Sequence, residues 1–384
     1  MDKNINKIPK DWEVAKLGQY INVFSGYPFK TDDFLSTKEE GISIVKIGNL
    51  QDGVVRIYED TNKVIEGLYT KLPEFQLLSG DVLIALSGAT TGKIAVVEKD
   101  LGKALVNQRV GKFDILDDKK IKQTYFYYYS QTKTFTLDIL KYIGQSAQGN
   151  LSPEQIKKID ILLPPLPEQQ KIAEVFSTVD EAIQIVDRVI EKIQWVKKGL
   201  MNELLVNEPI GETKEEIVNI FSLEYGKGLT QNERNDGKYP VLGSNGIVGS
   251  NSTFLVKGPG IVIGRKGTIG AVKWLDVNFW PIDTAYFVVP KKDDLNLKWL
   301  YYKLVVLNLK KLNTATGIPG LNREMVYGQE IYVPSLPEQQ KIAEILSAVD
   351  NKIEQQKKRK EKLEKVKRGL MDDLLTGKRR VKIN

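Results

Sequence analysis

Apolar residues recur in alternating steps of three and four along two long, otherwise polar segments of the chain. In the first segment they are Ile172, Phe176, Val179, Ile183, Val186, Ile190, Ile193, Leu200 and Leu204, with Lys197 at one polar position. In the second they are Ile342, Leu346, Val349, Ile353, Leu363, Leu370 and Leu374, interrupted by Gln356, Lys360 and Lys367. This spacing is the heptad seam of a coiled-coil helix. It predicts two helices of about 38 residues, which begin near Pro167 and Pro337 and end before Pro209 and Gly377.

The two helical segments are copies of one another. At a shift of 170, residues 166–184 and 336–354 share 13 of 19 positions, and residues 191–205 and 361–375 share nine of fifteen. A helix with one narrow apolar stripe must bury that stripe, and the nearest equivalent partner is the other copy. We therefore expect the helices to pair within the chain as an antiparallel coiled coil. The alternative is that each helix pairs with another protein or with its own symmetry mate.

A segment of mixed character precedes each helix. Each has short strand-like runs, then an aromatic-rich helical stretch, then a last strand that ends in proline. The strand-like runs are 42–47, 81–87, 93–98, 260–264 and 285–290, the helical stretches are 124–143 and 297–313, and the last strands are 159–164 and 331–337. Residues 80–97 also line up with residues 258–274. The pattern predicts an α+β fold with mixed α/β domains at 1–165 and 208–335, separated by the paired helices at 166–207 and 336–384.

The composition excludes several kinds of catalysis. The chain has no histidine and no cysteine, which removes Ser-His-Asp hydrolysis, thiol nucleophiles, zinc fingers and the ordinary zinc hydrolases. The glycine loop at 87–94 departs from a phosphate-binding loop, since only three residues separate Gly88 from Gly92 and Ile94 replaces the magnesium-binding hydroxyl residue. We expect no catalytic residue and no metal site.

Charge and hydropathy narrow the possible ligands and the possible location of the protein. The net charge of +7 permits nucleic-acid binding through phosphate neutralisation without establishing it. No run approaches the roughly 18 apolar residues of a membrane span. The stretch MDKNINKIPKDW also lacks the apolar core of a signal peptide. We expect a cytoplasmic protein that does not contact a membrane.

Several motifs together carry a family resemblance. They are IPKDWEVAKLGQY (8–20), SGATTGK (87–93), SAQGNLS (146–152) and LPEQQKIAE at both 166–174 and 336–344. Over essentially its whole length the chain resembles the DNA specificity subunit of type I restriction-modification systems. The repeated LPEQQKIAE, which follows an apolar strand and opens a heptad helix, is the specific part of this resemblance.

The resemblance implies a function and a set of partners. Each mixed domain is implied to be a target-recognition domain that reads one half of a split, asymmetric site in double-stranded DNA. The paired helices are implied to dock two methyltransferase subunits, through which restriction subunits join. The chain itself is implied to be non-catalytic and to bind no cofactor, with S-adenosylmethionine and ATP with magnesium held by its partners.

A DNA reader needs hydrogen-bonding side chains on loops, with cations nearby for the phosphates. Arginines suit guanine or phosphate, and side-chain amides suit adenine. In the first domain the candidates are Tyr27, Lys30, Lys46, Asn49, Thr90, Thr91, Lys93, Gln108, Arg109 and Gln148. In the second they are Lys227, Asn245, Arg265, Lys266, Thr268 and Thr316. Loops rich in glycine, asparagine and serine are also ordinary turns, so each contact is a separate hypothesis.

Two other functions fit the same pattern. One is the specificity subunit of a related restriction system outside type I. The other is a structural coiled-coil scaffold whose globular ends bind proteins. Deletion of the gene separates a reader from a scaffold, because only the loss of a reader abolishes DNA methylation.

Overall fold

A computed structural model of the protein describes residues 8–36, 39–98, 101–144, 149–206, 214–312 and 320–383. The chain divides into two units, of which unit 1 comprises residues 1–185 and 360–384 and unit 2 comprises residues 186–359. Each long helix therefore contributes residues to both units. None of the helices in the described ranges combines the length and apolarity needed to cross a membrane.

Unit 1 is built around a mixed sheet. The main sheet has the strand order β2-β10-β7-β8-β5-β4, a smaller sheet has the order β6-β3-β9, and β1 pairs with β11. The strands are β1 Glu13–Lys16, β2 Ile21–Ser25, β3 Ile42–Val45, β4 Leu50–Gln51, β5 Val54–Val55, β6 Lys63–Val64, β7 Val82–Ala85, β8 Ile94–Val96, β9 Ala104–Val106, β10 Val110–Ile115 and β11 Asp160–Leu163. The helices are α1 Glu66–Lys71, α2 Gln123–Ser130, α3 Lys133–Gly144, α4 Pro153–Lys157 and the first half of α5 Leu166–Leu205.

Unit 2 repeats this plan with a smaller main sheet. One sheet has the order β13-β19-β16-β17, a second has the order β15-β14-β18, and β12 pairs with β20. The strands are β12 Lys214–Glu216, β13 Phe221–Tyr225, β14 Tyr239–Gly243, β15 Gly246–Asn251, β16 Gly260–Gly264, β17 Val272–Leu275, β18 Trp280–Pro281, β19 Ala285–Pro290 and β20 Glu330–Tyr332. The helices are α6 Ile217–Ile220, α7 Leu297–Leu307, α8 Arg323–Tyr327 and the first part of α9 Leu336–Leu374.

Most of the predicted elements are confirmed, with two local differences. The strands β16 and β19 have the predicted bounds, and β7 and β16 are buried along their whole length. The stretch predicted as one helix at 124–143 is two helices, because the Thr132 hydroxyl accepts a hydrogen bond from the Phe135 N–H (3.2 Å) and starts α3 afresh. The helix predicted at 297–313 ends earlier, where Asn308 takes a left-handed conformation (φ 52°).

The long helices pair in antiparallel fashion, as predicted. In unit 1 the start of α5 and the end of α9 share one core, in which Ile172 and Phe176 lie with Leu374. In unit 2 the end of α5 and the start of α9 do the same, with Leu205 beside Ile342. An ion pair joins the helices in each unit. Asp180 bonds Lys367 in unit 1 and Lys197 bonds Asp350 in unit 2, both at 2.6 Å between nitrogen and oxygen.

A buried glutamine has the same structural role in both copies of the LPEQQKIAE motif. Gln169 lies in the first turn of α5 with its side chain fully hydrogen-bonded, and Gln339 occupies the same place in α9. The partners of Gln169 are the carbonyl oxygens of Pro164 (2.9 Å) and Lys120 (2.8 Å) and the N–H of Lys122 (2.9 Å). Those of Gln339 are the carbonyl oxygens of Pro334 (2.9 Å) and Asp294 (3.4 Å) and the N–H of Asn296 (2.7 Å). Each glutamine thus ties its long helix to a sheet-to-helix connector and to a distant loop.

The neighbouring glutamate of the motif has different surroundings in the two copies. Glu168 is 0% exposed, accepts a hydrogen bond from the Trp12 indole (3.1 Å) and forms an ion pair with Arg380 (2.6 Å). Arg380 also makes two bonds to Asp11, and this hydrogen bonding holds the pKa of the Asp11 carboxyl below its usual value. Glu338 is exposed. The cluster therefore joins residues 11–12, the start of α5 and the segment after α9 within unit 1.

Substitution of Arg380 tests this cluster. We expect Arg380→Ala to lower the free energy of unfolding by about 3 kcal/mol, because the Glu168 carboxylate is left buried without its cation. Arg379→Ala is the matched control, since the Arg379–Asp373 pair is largely exposed and should contribute less than about 0.5 kcal/mol. Chemical denaturation of both variants measures the difference, and equal midpoints would contradict a stabilising role for Arg380.

Candidate nucleic-acid interface

Backbone hydrogen bonds gather five of the loop segments of unit 1 at one end of its sheets. The segments are 25–30, 45–49, 86–93, 106–109 and 149–151. The bonds run from the N–H of Tyr27 to the carbonyl of Val106 (2.8 Å), from Asn107 to Val45 (3.0 Å), from Leu86 to Arg109 (2.9 Å) and from Leu151 to Leu86 (2.8 Å). Sequence reasoning proposed loops far apart in the chain, and the fold brings these together.

A glycine allows this convergence in each unit. A Cβ atom on Gly26 would lie 2.3 Å from the carbonyl oxygen of Val106, and one on Gly226 would lie 2.2 Å from that of Ile282. No side chain fits at such distances, so only glycine lets the loop after β2 or β13 cross the neighbouring segment. Tyr27 in unit 1 and Lys227 in unit 2, which follow these glycines, occupy equivalent positions. The Tyr27 N–H donates to the Val106 carbonyl (2.8 Å), and the Lys227 N–H donates to the Pro281 carbonyl (3.0 Å).

Some candidates of unit 1 are well placed for a ligand. Lys30, Gln108 and Arg109 are exposed. The Lys46 ammonium bonds the Asn62 amide oxygen (2.8 Å) and lies 4.5 Å from the centre of the Phe34 ring. Burial lowers the pKa of Lys46, and the charge of Arg109 lowers it further. Because two cations repel one another here, an anion placed between them is stabilised.

Other candidates of unit 1 are occupied within the protein. The Asn49 side chain is buried and bonded, accepting from the Lys46 N–H (2.9 Å) and donating to the Arg56 carbonyl (2.8 Å). The Thr91 hydroxyl donates to the Gly88 carbonyl (2.6 Å), and the Lys93 ammonium bonds the Gln51 amide oxygen (2.9 Å). The Tyr27 ring packs between Phe29 and Phe75. The Thr90 hydroxyl is buried without a hydrogen-bond partner among the described residues.

Unit 2 gathers its loops in the same way. Arg265 is at the centre, where its N–H donates to Thr284 (2.9 Å) and its carbonyl accepts from Leu321 (2.8 Å). The Thr268 N–H donates to the Ser244 hydroxyl (3.4 Å), which connects the loop after β16 to the β14–β15 turn. Lys227, Asn245, Lys266 and Thr268 are exposed around this centre. Gln148 and Thr316, also candidates, lie outside the described residues.

The surroundings of Arg265 include residues that the sequence did not single out. The guanidinium carbon lies 5.1 Å from the centre of the Tyr225 ring and 5.9 Å from that of Tyr286, and Nε donates to the Asp283 carbonyl (3.1 Å). Arg323 lies on Tyr225 as well, at 5.4 Å. Burial raises the pKa of Tyr286 to about 12, and the adjacent Tyr225 adds to the shift. The one sequence signal for these residues is the aromatic Tyr225 at the head of a glycine-rich loop.

Asn49 and Asn245 form a matched pair for a test. We expect Asn49→Ala to cost about 1–3 kcal/mol of stability, because it leaves buried backbone groups unbonded. Asn245→Ala should leave stability unchanged, because that side chain is exposed. Denaturation midpoints and DNA affinity are measured on both variants. A stable Asn49→Ala protein with weakened DNA binding would favour a direct contact between Asn49 and a base over a structural role.

Known proteins are similar to this chain in both sequence and fold. The sequence matches the family described as type I restriction modification DNA specificity domain over residues 9–194 and again over residues 212–365. It is similar to the type I restriction enzyme MjaVIII specificity subunit of Methanocaldococcus jannaschii, with 28% identity across 98% of this chain and 95% of that protein. It is also similar to the type I restriction enzyme EcoBI specificity subunit of Escherichia coli, with 25% identity across 56% of this chain and 43% of that protein.

The structural comparison agrees with the sequence. The fold matches the crystal structure of the S subunit of a type I restriction-modification system from M. genitalium with a TM-score of 0.67. The match covers 97% of this chain and 98% of that one at 17% identity, so it shows a shared fold. The family pattern occurs twice, and each occurrence includes one of the two loop clusters described above. The chain therefore belongs to the type I restriction-modification DNA specificity family and has the role of a DNA sequence-specificity subunit.

Proposed function

We propose that the protein reads a split, asymmetric DNA site with one half-site per unit. The observation that carries this proposal is the duplicated loop cluster. Each unit gathers its candidate loops by equivalent backbone hydrogen bonds, yet the side chains presented differ, with Gln108 and Arg109 in unit 1 and Arg265 and Lys266 in unit 2. Because base edges are distinguished by the donors and acceptors that face them, two different side-chain sets read two different half-sites.

The chemistry in this proposal belongs to the partner subunits. The chain has no histidine or cysteine, and it carries no Asn-Pro-Pro-aromatic or Asp-Pro-Pro-aromatic tetrad of an adenine methyltransferase. S-adenosylmethionine is then bound by methyltransferase subunits, and ATP with magnesium by restriction subunits that join through them. The protein acts in the cytoplasm, where the genomic DNA of its host lies.

The paired helices are the proposed docking surface for two methyltransferase subunits. Val196 in unit 2 and Val366 in unit 1 are equivalent positions of the repeat, and they are 57% and 52% exposed. Trp195 beside Val196 is also exposed, with Lys198 lying 5.6 Å from its ring. Exposed apolar side chains on a helix favour contact with another protein. The same valine in both copies supports two equivalent partners.

A pair of substitutions tests the docking surface. We expect Val196→Glu combined with Val366→Glu to abolish copurification of the methyltransferase subunits, because a partner interface would have to bury two unpaired carboxylates. The melting temperature should not change, since both positions are exposed. Thr178→Glu with Ala348→Glu, also exposed repeat equivalents, is the control, because it adds the same charges 18 residues away along each helix. Retention of both partners by the valine variant would place the docking surface elsewhere.

A methylation map of the host genome tests the reader function. With the gene intact we expect a split, asymmetric adenine-methylated motif that disappears when the gene is deleted. Replacement of residues 13–163 by the corresponding segment of another family member should change one half of the motif only. This exchange keeps Asp11, Trp12 and Glu168, so the cluster with Arg380 is preserved. An unchanged methylome after deletion would favour the scaffold, and a change in both halves would contradict independent units.

A further inference from the structure

One backbone position has the same hydrogen-bonding role in both units but a different side chain. In unit 1 the position is Leu86, which donates to the Arg109 carbonyl (2.9 Å) and accepts from the Leu151 N–H (2.8 Å). In unit 2 it is Arg265, which donates to Thr284 (2.9 Å) and accepts from Leu321 (2.8 Å). Strand pairing gives the same equivalence, since Ala85 faces Val110 and Gly264 faces Ala285.

The equivalence corrects the simple alignment of residues 80–97 with 258–274. In unit 1 the Gly92 N–H returns to the Ala85 carbonyl (2.8 Å), and in unit 2 the Gly270 N–H returns to the Gly264 carbonyl (2.8 Å). The loop in unit 2 is therefore one residue shorter. With this one-residue shift, Arg265 is equivalent to the core residue Leu86. The alignment without a gap would instead pair Arg265 with Ser87.

The fold does not need an arginine at this position. Leu86 is 5% exposed and packs beside Gly111, where a Cβ would lie 3.1 Å from the leucine side chain. In unit 2 the residue equivalent to Gly111 is Tyr286, as strand pairing shows. Arg265 lies over the rings of Tyr286 and Tyr225 instead of entering the core. The charged side chain and its two aromatic supports are thus specific to unit 2.

The guanidinium of Arg265 is held before any ligand binds. Its central carbon lies over the rings of Tyr225 (5.1 Å) and Tyr286 (5.9 Å), and Nε donates to the Asp283 carbonyl (3.1 Å), so these three contacts restrict the position of the group. Arg265 forms no ion pair with any residue of the described ranges. A planar group with its Nε bonded offers its two terminal nitrogens as an end-on pair of donors. That pair matches the two acceptors on one edge of guanine, O6 and N7.

We propose that Arg265 reads a guanine in the half-site of unit 2, by donating from both terminal nitrogens to O6 and N7 in the major groove. The inference rests on the proposed reader function. Phosphate contact is assigned instead to the neighbouring Lys227 and Lys266, which are exposed. A flexible lysine neutralises a phosphate from many positions, whereas a base edge requires a donor pair of fixed geometry.

Three single variants of the protein, each assembled with its native methyltransferase partners, test the assignment. Arg265→Leu introduces the residue that unit 1 has at this position, so the fold should be retained. We expect it to remove the preference for guanine at one position of the unit 2 half-site and to lower the affinity for the native site by about 10- to 100-fold. Arg265→Lys should not restore discrimination, because an ammonium lacks the paired donors. Lys266→Ala should weaken binding to all sequences alike and reduce the salt dependence by about one phosphate contact.

The methylation motif and the affinity at several salt concentrations are measured for each variant, with a melting curve as the check on folding. A folded Arg265→Leu variant with an unchanged motif would overturn the assignment, as would a unit 2 half-site without guanine. The assignment would also be overturned if Arg265→Leu lowered the affinity for all sequences equally and reduced the salt dependence of binding, since Arg265 would then be a phosphate contact. Absence of a split motif with the unaltered protein is a separate result that contradicts the reader function itself.

Discussion

The antiparallel pairing of the two long helices is the constraint on which both units depend, and one ion pair supports it in each unit. Asp180 binds Lys367 in unit 1 and Lys197 binds Asp350 in unit 2, and the two pairs are equivalent in the repeat. If the near-identical helices paired in parallel and in register, each position would face its own copy. Aspartate would then oppose aspartate, and lysine would oppose lysine, at partly buried sites. Antiparallel pairing turns the same residues into attractive pairs, so these two positions of the repeat favour antiparallel pairing over parallel pairing in register.

The same ion pairs connect the helices to the sheets. Lys367 lies 5.6 Å from the ring of Tyr128, and Lys197 lies 5.6 Å from the ring of Tyr302. The Tyr302 hydroxyl also donates to Asp350 (2.8 Å). In each unit a tyrosine on a sheet-covering helix therefore joins the pair that fixes the coiled coil. Because these contacts hold the helices against the rest of each unit, the candidate DNA-binding loops can differ between the units without disturbing helix pairing.

Much of the fold could be predicted because its signals are local. The heptads give both long helices, and runs such as residues 260–264 give buried strands because β-branched residues fit a pleated surface. The strand β15 (Gly246–Asn251) was not predicted, because its two glycines, its serine and its asparagine are typical of a turn. The break before α3 also depends on one threonine hydroxyl, which periodicity does not show.

The site was less predictable, because it depends on register between strands far apart in the sequence. The candidate loops were identified from their composition, and the fold does bring them together. Which side chain faces solvent follows from pairing that a single sequence does not reveal. Asn49 resembled a base reader but supports the Arg56 carbonyl. Tyr225, which begins a candidate loop, and Asp283 were not among the candidate residues, yet both contact Arg265. Contacts of candidate residues with DNA stay predictions.

The discontinuity of unit 1 has a consequence for the order in which the protein is made. Residues 186–359 form unit 2 from one continuous stretch, so the ribosome has supplied all of that unit before residues 360–383 are synthesised. Unit 1 waits for those residues, because Lys367, Leu374 and Arg380 complete its core and its buried glutamate cluster. Most of unit 1 is therefore translated first, yet unit 1 is the unit whose chain is completed last. Removal of residues 360–383 would therefore damage the amino-terminal domain, while every residue of unit 2 would still be present.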